Sequence, residues 1–534
     1  MIDTNVIKAC EVLSILFALN QTKQQSLTRI VKHEVEKSEK IRALNRLKDL
    51  SCLHKLTVML KLFATICFSL FLFGYGAGQS AEAFKQKVEA WQKSPLLANA
   101  GIGISVCDAT SGDALLRTEP QLSLVPASIF KIVTTSAALE VFGPNYRFKT
   151  TLGYSGTVKN DTLWGDVLVR GGGDPTLGSG YFPETKGFLS EWAKALVSNH
   201  IRVVKGHLIV DSSVYEKVQV PDSWAWEDLG SYYGAGASGL SVFDNVFEIH
   251  LKSPQNDDQP TKLIRTVPEI PGLELQNEVR SADIDDDQSY VFGNPEDSRR
   301  VIRGMIPKGR NDFVVKASIP DPAIVLSSEF RGRLRKYGVE IAGNTVYEKA
   351  NSADIILKET LSPPLSEIIK LTNHESINLF AEHLLKHLAW QKDGLGTTKG
   401  GCQFIQEFWK GKGLPMDGFF INDGSGLSRF DAITADQMCR ILNYMHSSVN
   451  HEAFLKSLPM AGYGTLTAFS PEIFPDGCLH AKSGSMTRVR CYAGYLKTTS
   501  GKEISFAVML NNFSCTMKEA TRKIEELLVE LRKI

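Results

Sequence analysis

Apolar and polar positions follow two different patterns, which divide the chain into two ends and a middle. At the ends, short apolar runs that predict strands stand next to long helical stretches. Ser128–Phe142 is apolar nearly all round, which is typical of a buried helix. Met517–Lys533 has the period of an amphipathic helix. The predicted strands at the two ends are Gly101–Cys107, Ala114–Arg117, Leu479–Ser483, Val489–Leu496 and Glu503–Leu510, with a turn at Thr499-Ser500-Gly501 before the last.

The middle of the chain, residues 149–356, shows short alternating runs broken by Gly, Pro and Asp, which predict mostly strands. The stretch from about 253 to 300 is polar and rich in acidic residues, so we expect it to consist largely of loops. The helical period returns at Leu365–Leu388. Helices and strands at both ends of a β-rich middle predict a discontinuous α/β domain that is interrupted by an insertion.

The N-terminal part carries a targeting signal. A basic segment leads into Leu62–Tyr75, 14 residues without a charge, and small residues follow at Gly76-Ala77-Gly78. This run is shorter than the roughly 20 apolar residues of a membrane span. We predict that residues 59–78 are a signal peptide or an uncleaved signal anchor, after an extension of uncertain origin at 1–58. The protein is therefore expected to be exported to the periplasm or cell envelope, with residues 60–78 as a potential membrane anchor.

Overall composition excludes several classes of function. Lys and Arg number 60 against 59 Asp and Glu, so the formal net charge of +1 gives no reason to expect a nucleic-acid partner. Six of the nine cysteines follow the predicted signal, and they have neither metal-type spacing nor the density of a disulfide framework. The sequence predicts neither cofactor nor metal, and it leaves the oligomeric state open.

The candidate chemistry begins at Ser128 and Lys131. Residues three apart share a face of a helix, so the lysine ammonium is expected beside the serine hydroxyl. Serine needs a base to become a nucleophile, and lysine can act as that base when burial or a nearby cation lowers its pKa. Ser128 is the only serine in the chain that is followed by lysine three residues later. We interpret Ser128 as a nucleophile and Lys131 as its base.

Two further motifs follow in order. Ser376-Ile377-Asn378 is predicted to open a helix, where Ser376 relays a proton and Asn378 holds a substrate amide. Ser448-Val449-Asn450 has the same pattern. We prefer Ser376 because of its order among the motifs and its predicted position at the start of a helix. Lys482-Ser483-Gly484-Ser485 lies on a predicted strand, where Lys482, Ser483 and Ser485 are candidates for binding an anionic substrate group. The glycine leaves room for substrate backbone.

These three motifs in this order resemble those of the penicillin-interacting serine enzymes. The chain, over about residues 82 to 530, resembles the low-molecular-mass class C penicillin-binding proteins, the D-alanyl-D-alanine carboxypeptidase/endopeptidase family (peptidase family S13). The separation of 248 residues between Ser128 and Ser376 is typical of that family. Other stretches that resemble it are Gly171-Gly172-Gly173-Asp174-Pro175, Tyr232-Tyr233-Gly234-Ala235, Ser362-Pro363-Pro364-Leu365, Asp423-Gly424-Ser425-Gly426-Leu427 and Gly464-Thr465-Leu466.

The resemblance implies an architecture. A β-lactamase/transpeptidase-like α/β domain, with an antiparallel sheet flanked by helices, is expected at 79–148 and 357–534. Two mainly β domains are expected as insertions. The second domain would comprise 149–172 and 251–356, and the third 173–250.

The resemblance also implies a mechanism. Ser128 attacks the D-Ala-D-Ala bond with Lys131 as base, and Ser376 passes a proton to the leaving amine. Lys482, Ser483 and Ser485 bind the terminal carboxylate or the substrate backbone. The backbone N–H groups of Ser128 and Ser485 form the oxyanion hole. The expected partners are peptidoglycan stem peptides that end in or are cross-linked through D-Ala, and β-lactams as covalent inhibitors. Neither the carboxypeptidase nor the endopeptidase activity is singled out.

Competing interpretations are weaker. Gly234–Gly239 matches a G-x-G-x-x-G nucleotide motif but has no strand before it. His383 and His387 lie four residues apart but lack the zinc-peptidase arrangement, so packing is the plainer interpretation. For the whole protein, a serine β-lactamase and a non-catalytic penicillin or peptidoglycan sensor remain the alternatives.

Overall fold

The computed structural model describes residues 84, 86–295, 297–350 and 353–534. Its strands are β1 (Gly101–Asp108), β2 (Ala114–Thr118), β3 (Ser123–Leu124), β4 (Lys149–Lys159), β5 (Thr162–Arg170), β6 (Val203–Val204), β7 (Leu208–Asp211), β8 (Val246–Lys252), β9 (Lys262–Val267), β10 (Glu274–Ala282), β11 (Gln288–Phe292), β12 (Arg299–Pro307), β13 (Phe313–Ser318), β14 (Glu340–Ile341), β15 (Thr345–Tyr347), β16 (Ile355–Leu361), β17 (Ile433–Thr434), β18 (Leu479–Met486), β19 (Val489–Lys497) and β20 (Glu503–Asn511).

The labelled helices are α1 (Lys131–Phe142), α2 (Phe188–Ser198), α3 (Pro322–Lys336), α4 (Leu365–His374), α5 (Asn378–Asp393), α6 (Thr398–Gly411), α7 (Ala435–His446), α8 (His451–Ser457) and α9 (Met517–Arg532). In the described part of the chain, no helix is both long and apolar enough to cross a bilayer. The predicted signal at 59–78 lies outside the described residues.

The two ends of the chain build one antiparallel sheet in the order β18-β19-β20-β1-β2. Side chains alternate between its faces, so both faces are covered. Cys491 and Ala493 belong to the core that includes α1 and α5, whereas Tyr492 and Leu496 pack in the core that includes α9. The five end strands, the hairpin and the C-terminal helix are confirmed, and β18 is the outer strand of the sheet.

The inserted region contains a second sheet, in which the order β14-β6-β5-β4-β16 is extended by β7 and β15. Helices α2 and α3 supply Trp192 and Phe330 to its core, and the two rings meet edge to face at 5.5 Å. Because β6 and β7 pair with β5, the chain from 203 to 211 belongs to the same sheet as 149 to 170. The inserted-domain boundaries given above stay a prediction.

Between these elements, β8–β13 form two three-stranded sheets around a separate core that includes Phe247 and Ile302. Residues 253–300, which were expected to be rich in loops, also contain β9, β10, β11 and the start of β12. Several of these strands bury few side chains and carry charged residues on the open face, as in β9 and β10. Their low apolar content therefore hid a regular strand pattern.

Candidate active site

Ser128 lies in a 3-10 turn, Ala127–Phe130, rather than in the α-helix that was predicted to begin there. Helix α1 begins at Lys131. Ala127 has a φ of 47°, a left-handed conformation that turns the chain sharply before the serine. Gly426 allows the approach of a neighbouring loop, because a Cβ there would lie 2.1 Å from the Ala127 carbonyl oxygen. Packing against the Gly426 loop therefore supports the turn. The N–H groups at the start of the turn have no partner within it.

Lys131 is fully buried, and its ammonium makes three polar contacts. Nζ donates to Ser128 Oγ at 3.1 Å, to Asn378 Oδ1 at 2.6 Å and to the carbonyl oxygen of Ser425 at 2.8 Å. Burial lowers the pKa of Lys131 from 10.5 to about 7, although Asp423 and Glu382 act in the opposite direction. A neutral amine is therefore accessible beside the Ser128 hydroxyl near neutral pH.

Ser376 lies in a break between two helices, two residues before the start of the helix that it was predicted to open. Helix α4 ends at His374 and α5 begins at Asn378. Ser376 has a φ of 58°, and its hydroxyl accepts a hydrogen bond from Lys482 Nζ at 3.0 Å. Asn378 links Lys131 to the inserted region, since its Nδ2 donates to the carbonyl oxygen of Tyr233 at 2.9 Å. The structure thus brings the five predicted residues into two neighbouring hydrogen-bonded groups. One group is Lys131 with Ser128 and Asn378, and the other is Lys482 with Ser376.

The four predicted residues of β18, Lys482 to Ser485, lie on two opposite faces of the strand. Lys482 and Gly484 share the face directed towards α1, where a Cβ on Gly484 would lie 3.1 Å from the Ser128 nitrogen. The alternation of side chains places Ser483 and Ser485 on the opposite face. Ser483 is buried, whereas Ser485 is exposed with Oγ 3.7 Å from Met517 Sδ. Lys482 therefore faces the side of the sheet that holds Ser128 and Ser376, and the hydroxyls of Ser483 and Ser485 do not.

Lys482 is fully buried like Lys131. Its ammonium also donates to the carbonyl oxygen of Ser483 at 2.8 Å. Burial lowers the pKa of Lys482 well below 10.5, and the positive charges of Lys131 and Arg490 lower it further. The site accordingly holds two desolvated amines, each next to a serine hydroxyl.

Two buried carboxyl groups, Glu382 and Asp423, lie close enough to Lys131 to affect its pKa, and neither was predicted as a site residue. Glu382 on α5 accepts the Gly424 N–H at 3.0 Å, and burial raises the pKa of its carboxyl. Asp423 accepts the Gly426 N–H at 2.6 Å and the indole N–H of Trp224 at 2.7 Å. Asp423 belongs to Asp423-Gly424-Ser425-Gly426-Leu427, one of the stretches that resemble the family. Glu382 lies in a helical segment without any motif, so the sequence gives no reason to select it.

His383 and His387 on α5 are both buried and hydrogen-bonded. His383 contacts the carbonyl oxygen of Gly173 and the hydroxyl of Ser241, each at 2.8 Å, and His387 contacts the hydroxyl of Tyr146 at 2.7 Å. Burial lowers the pKa of both imidazoles to about 3. Among the described residues, no group of three or more His, Cys, Asp or Glu is placed to hold a metal ion. These contacts join α5 to its neighbours.

The Gly234–Gly239 stretch begins in a short 3-10 turn, Tyr232–Gly234, and continues as extended chain. A Cβ on Gly236 would lie 2.6 Å from Gln219 Cβ, so this glycine allows close packing of two chain segments. Neither a strand before this stretch nor a helix directly after it is present, so the local structure is not that of a dinucleotide-binding turn.

Comparisons with known proteins agree with this geometry. The model of the D-Ala-D-Ala carboxypeptidase 3 (S13) family matches residues 84–533. The D-alanyl-D-alanine carboxypeptidase of Actinomadura sp. (strain R39) is 27% identical over 455 residues, which cover 82% of each chain. The D-alanyl-D-alanine carboxypeptidase DacB of Haemophilus influenzae is 24% identical over 407 residues, which cover 75% of this chain and 83% of that protein.

Solved structures confirm the fold class. The crystal structure of penicillin binding protein 4 (dacB) from Haemophilus influenzae matches with a TM-score of 0.74 at 22% identity, over 84% of this chain and 99% of that one. Its complex with a novel β-lactam matches with a TM-score of 0.69 at 21% identity, over the same shares of the two chains. The predicted α/β sheet domain with mainly β insertions is therefore confirmed.

Proposed function

The chain belongs to the D-Ala-D-Ala carboxypeptidase 3 (S13) family, and on that premise we propose that it is a serine peptidase that hydrolyses D-Ala-D-Ala bonds of peptidoglycan through an acyl-enzyme on Ser128. The observation that carries the proposal is the 3.1 Å contact between Lys131 Nζ and Ser128 Oγ, in which the amine is buried and has a pKa of about 7. A family match supplies the substrate class, and this contact supplies a base for the nucleophile.

Acylation begins when neutral Lys131 takes the proton of the Ser128 hydroxyl. Ser128 Oγ then forms a bond to the carbonyl carbon of the penultimate D-Ala. The carbonyl oxygen becomes an anion, which the backbone N–H groups of Ser128 and Ser485 would stabilise. A single donor of this kind contributes on the order of 10²–10³ in rate. The close approach of Gly484 to the Ser128 nitrogen supports this arrangement.

Collapse of the tetrahedral adduct breaks the C–N bond and requires a proton on the leaving amine. Ser376 is the proposed donor, since its hydroxyl accepts a hydrogen bond from the Lys482 ammonium, which can replace the proton given up. Asn378 would hold the amide of the bound peptide next to Lys131. The proton that Lys131 took from Ser128 returns to Lys482 through solvent, which restores the neutral base and the ammonium. Water then attacks the ester carbonyl carbon as Lys131 takes its proton, and that proton passes to Ser128 Oγ as the C–O bond to Ser128 breaks.

Lys482 is the proposed partner of the terminal carboxylate, because a buried ammonium without a carboxylate hydrogen-bond partner is well suited to an anion. Strand β18 is the outer strand of its sheet, and beyond the bridge between His480 and Met460 a peptide can pair along it. In that arrangement Ser485, which is exposed, would bind the peptide with its hydroxyl, and Ser483 would bind it with its backbone groups. β-Lactams would acylate Ser128 in the same geometry, as the complex of the Haemophilus influenzae relative with a β-lactam suggests.

An exported protein is required for this substrate, and we propose the periplasm or cell envelope as its location. The apolar segment at 59–78 supports export as a signal peptide or anchor. Carboxypeptidase and endopeptidase activities both follow from the same acyl-enzyme, because the two differ only in what lies beyond the scissile bond.

The test is incubation of the enzyme with purified uncross-linked and cross-linked muropeptides, followed by product analysis. Wild-type enzyme should release D-Ala or split cross-links, and Ser128→Ala should do neither. Ser136→Ala is the matched control, since this buried serine on α1 bonds only to carbonyl oxygens of its own helix in the structure and should leave activity intact. Activity in Ser128→Ala would reject the nucleophile.

The same preparation separates the two alternative functions. A β-lactamase would turn over nitrocefin rapidly, whereas the proposed peptidase should give one stoichiometric burst. A sensor would be acylated by labelled penicillin and yet release no D-Ala. Either result would replace the proposed function.

A further inference from the structure

A groove of about 1190 Å³ opens next to the candidate active site. Its walls include two edge strands, β11 and β13, and the turn Tyr232–Gly234. Glu375 also lines it, and this residue directly precedes Ser376. The groove therefore begins beside Ser376 in the candidate active site and continues into the inserted region. The mechanism proposed above does not use it.

Three tyrosines line this groove with much of their side chains exposed. The exposed fraction is 41% for Tyr181, 53% for Tyr232 and 51% for Tyr290. Two of the rings are supported by neighbours: Tyr181 meets Phe380 edge to face at 6.1 Å, and Tyr232 meets Tyr233 at 5.4 Å. Supported aromatic rings with free surface bind ligands at low cost in conformational entropy. The groove thus offers stacking surfaces.

The charged groups of the groove are mostly acidic, namely Asp244, Asp287 and Glu375 against the single base Lys316. The Gly180 N–H donates to Asp244 and the Ser289 N–H donates to Asp287, each at 2.8 Å, so both carboxylates are fixed in place. Such a surface repels an acidic ligand. Its carboxylates can accept hydrogen bonds from hydroxyl and amide groups.

We propose that this groove binds the glycan strand of peptidoglycan while the stem peptide occupies the cleft at Ser128, an inference that rests on the proposed function. A pyranose ring offers an apolar C–H face for stacking on tyrosine and hydroxyl and acetamido groups for the carboxylates. The glycan is uncharged where its lactyl groups are amidated by stem peptides. A stem peptide carries both carboxylates and an amine, so charge does not select the occupant. The three exposed tyrosine rings favour the glycan.

The first test measures sugar binding without catalysis. The Ser128→Ala protein is titrated with uncharged oligosaccharides of N-acetylglucosamine, and binding is followed by calorimetry or by NMR. Saturable binding is expected, and adding Tyr290→Ala or Tyr232→Ala should weaken it roughly three- to tenfold. Adding Trp164→Ala instead is the control, since this tryptophan on β5 is 62% exposed and lies outside the groove. Absence of saturable binding, or equal weakening by all three substitutions, would overturn the proposal.

The second test measures specificity in the active enzyme. The kcat/KM of Tyr290→Ala is compared on a pentapeptide stem attached to glycan and on the same stem without sugar. A three- to tenfold loss is expected only on the glycan-bearing substrate, with unchanged acylation by penicillin and with Tyr290→Phe restoring the rate. Equal losses on both substrates would show that the groove holds peptide and would reject the glycan. Failure of wild type both to release D-Ala from these substrates and to split cross-linked muropeptides would instead reject the proposed function, while the sugar titration would still decide the groove.

Discussion

Acylation of Ser128 should follow the protonation of one amine, Lys131, if that residue is the base. Burial lowers its pKa to about 7. At pH 7 about half of the molecules then carry neutral Lys131, whereas a lysine with the ordinary pKa would be neutral in roughly one molecule in 3000. At pH 5 the neutral fraction falls to about 1%, so acylation should be about fifty times slower at pH 5 than at pH 7. Above pH 8 the rate should be constant.

The assay is a single-turnover experiment with labelled penicillin, in which the acylation rate constant is measured between pH 5 and pH 9. Lys131→Arg provides the second arm, because a guanidinium stays protonated throughout this range. It should lower the acylation rate constant by about 10³ or more while leaving a cationic side chain in place. Lys410→Arg, at an exposed position on α6, is the matched control and should retain the wild-type profile.

A flat profile between pH 5 and pH 7 would refute this assignment, as would wild-type acylation by Lys131→Arg. An inflection near pH 7 could also come from Glu382, whose pKa is raised by burial. Glu382→Gln separates the two groups, since it keeps an acceptor for the Gly424 N–H but cannot ionise. If Lys131 is the base, the inflection persists in this variant. Its disappearance would assign the inflection to the carboxyl group.

Two further substitutions test how the site is held. Gly484→Ala places a methyl carbon 2.4 Å from the carbonyl oxygen of Pro126, just before the turn that holds Ser128, so penicillin acylation should fall about a hundredfold or more. Gly411→Ala, with open space around it, should have no effect. Trp224→Phe removes the N–H that donates to buried Asp423, so the free energy of unfolding in urea should fall by about 1–3 kcal/mol, and the exposed Trp164→Phe should change it little.

The sequence predicted the members of the site better than it predicted their geometry. The order of the motifs predicted Ser128, Lys131, Ser376, Asn378 and Lys482, and the structure places them in two neighbouring hydrogen-bonded groups. The sequence predicted a helix start at Ser376, and the structure places that start two residues later, at Asn378. Ser376 has a left-handed backbone conformation, which is unfavourable for serine and is stabilised by tertiary contacts. The periodicity of apolar residues carries no information about such a conformation.

The face of a strand residue was harder to predict than its element. Alternation follows from the backbone, but the sequence does not indicate which face of an edge strand meets the nucleophile. Lys482 and Ser485 were therefore expected to act together, and the structure places them on opposite faces of β18. Glu382 was missed for a related reason: a carboxyl group on a helix suggests a solvated surface, and only packing against the Gly424 loop reveals that it is buried.

Two buried lysines in one site constrain each other's charge. The carboxyl groups of Glu382 and Asp423 favour the ammonium of Lys131, whereas Lys482 has only the nearby charge of Glu375 in its favour. In the proposed mechanism, a substrate carboxylate at Lys482 supplies the missing negative charge and raises the pKa of that amine. The ammonium formed there lowers the pKa of Lys131 and favours its neutral form. Substrate binding would thus increase the fraction of enzyme in which the base is ready to accept the Ser128 proton.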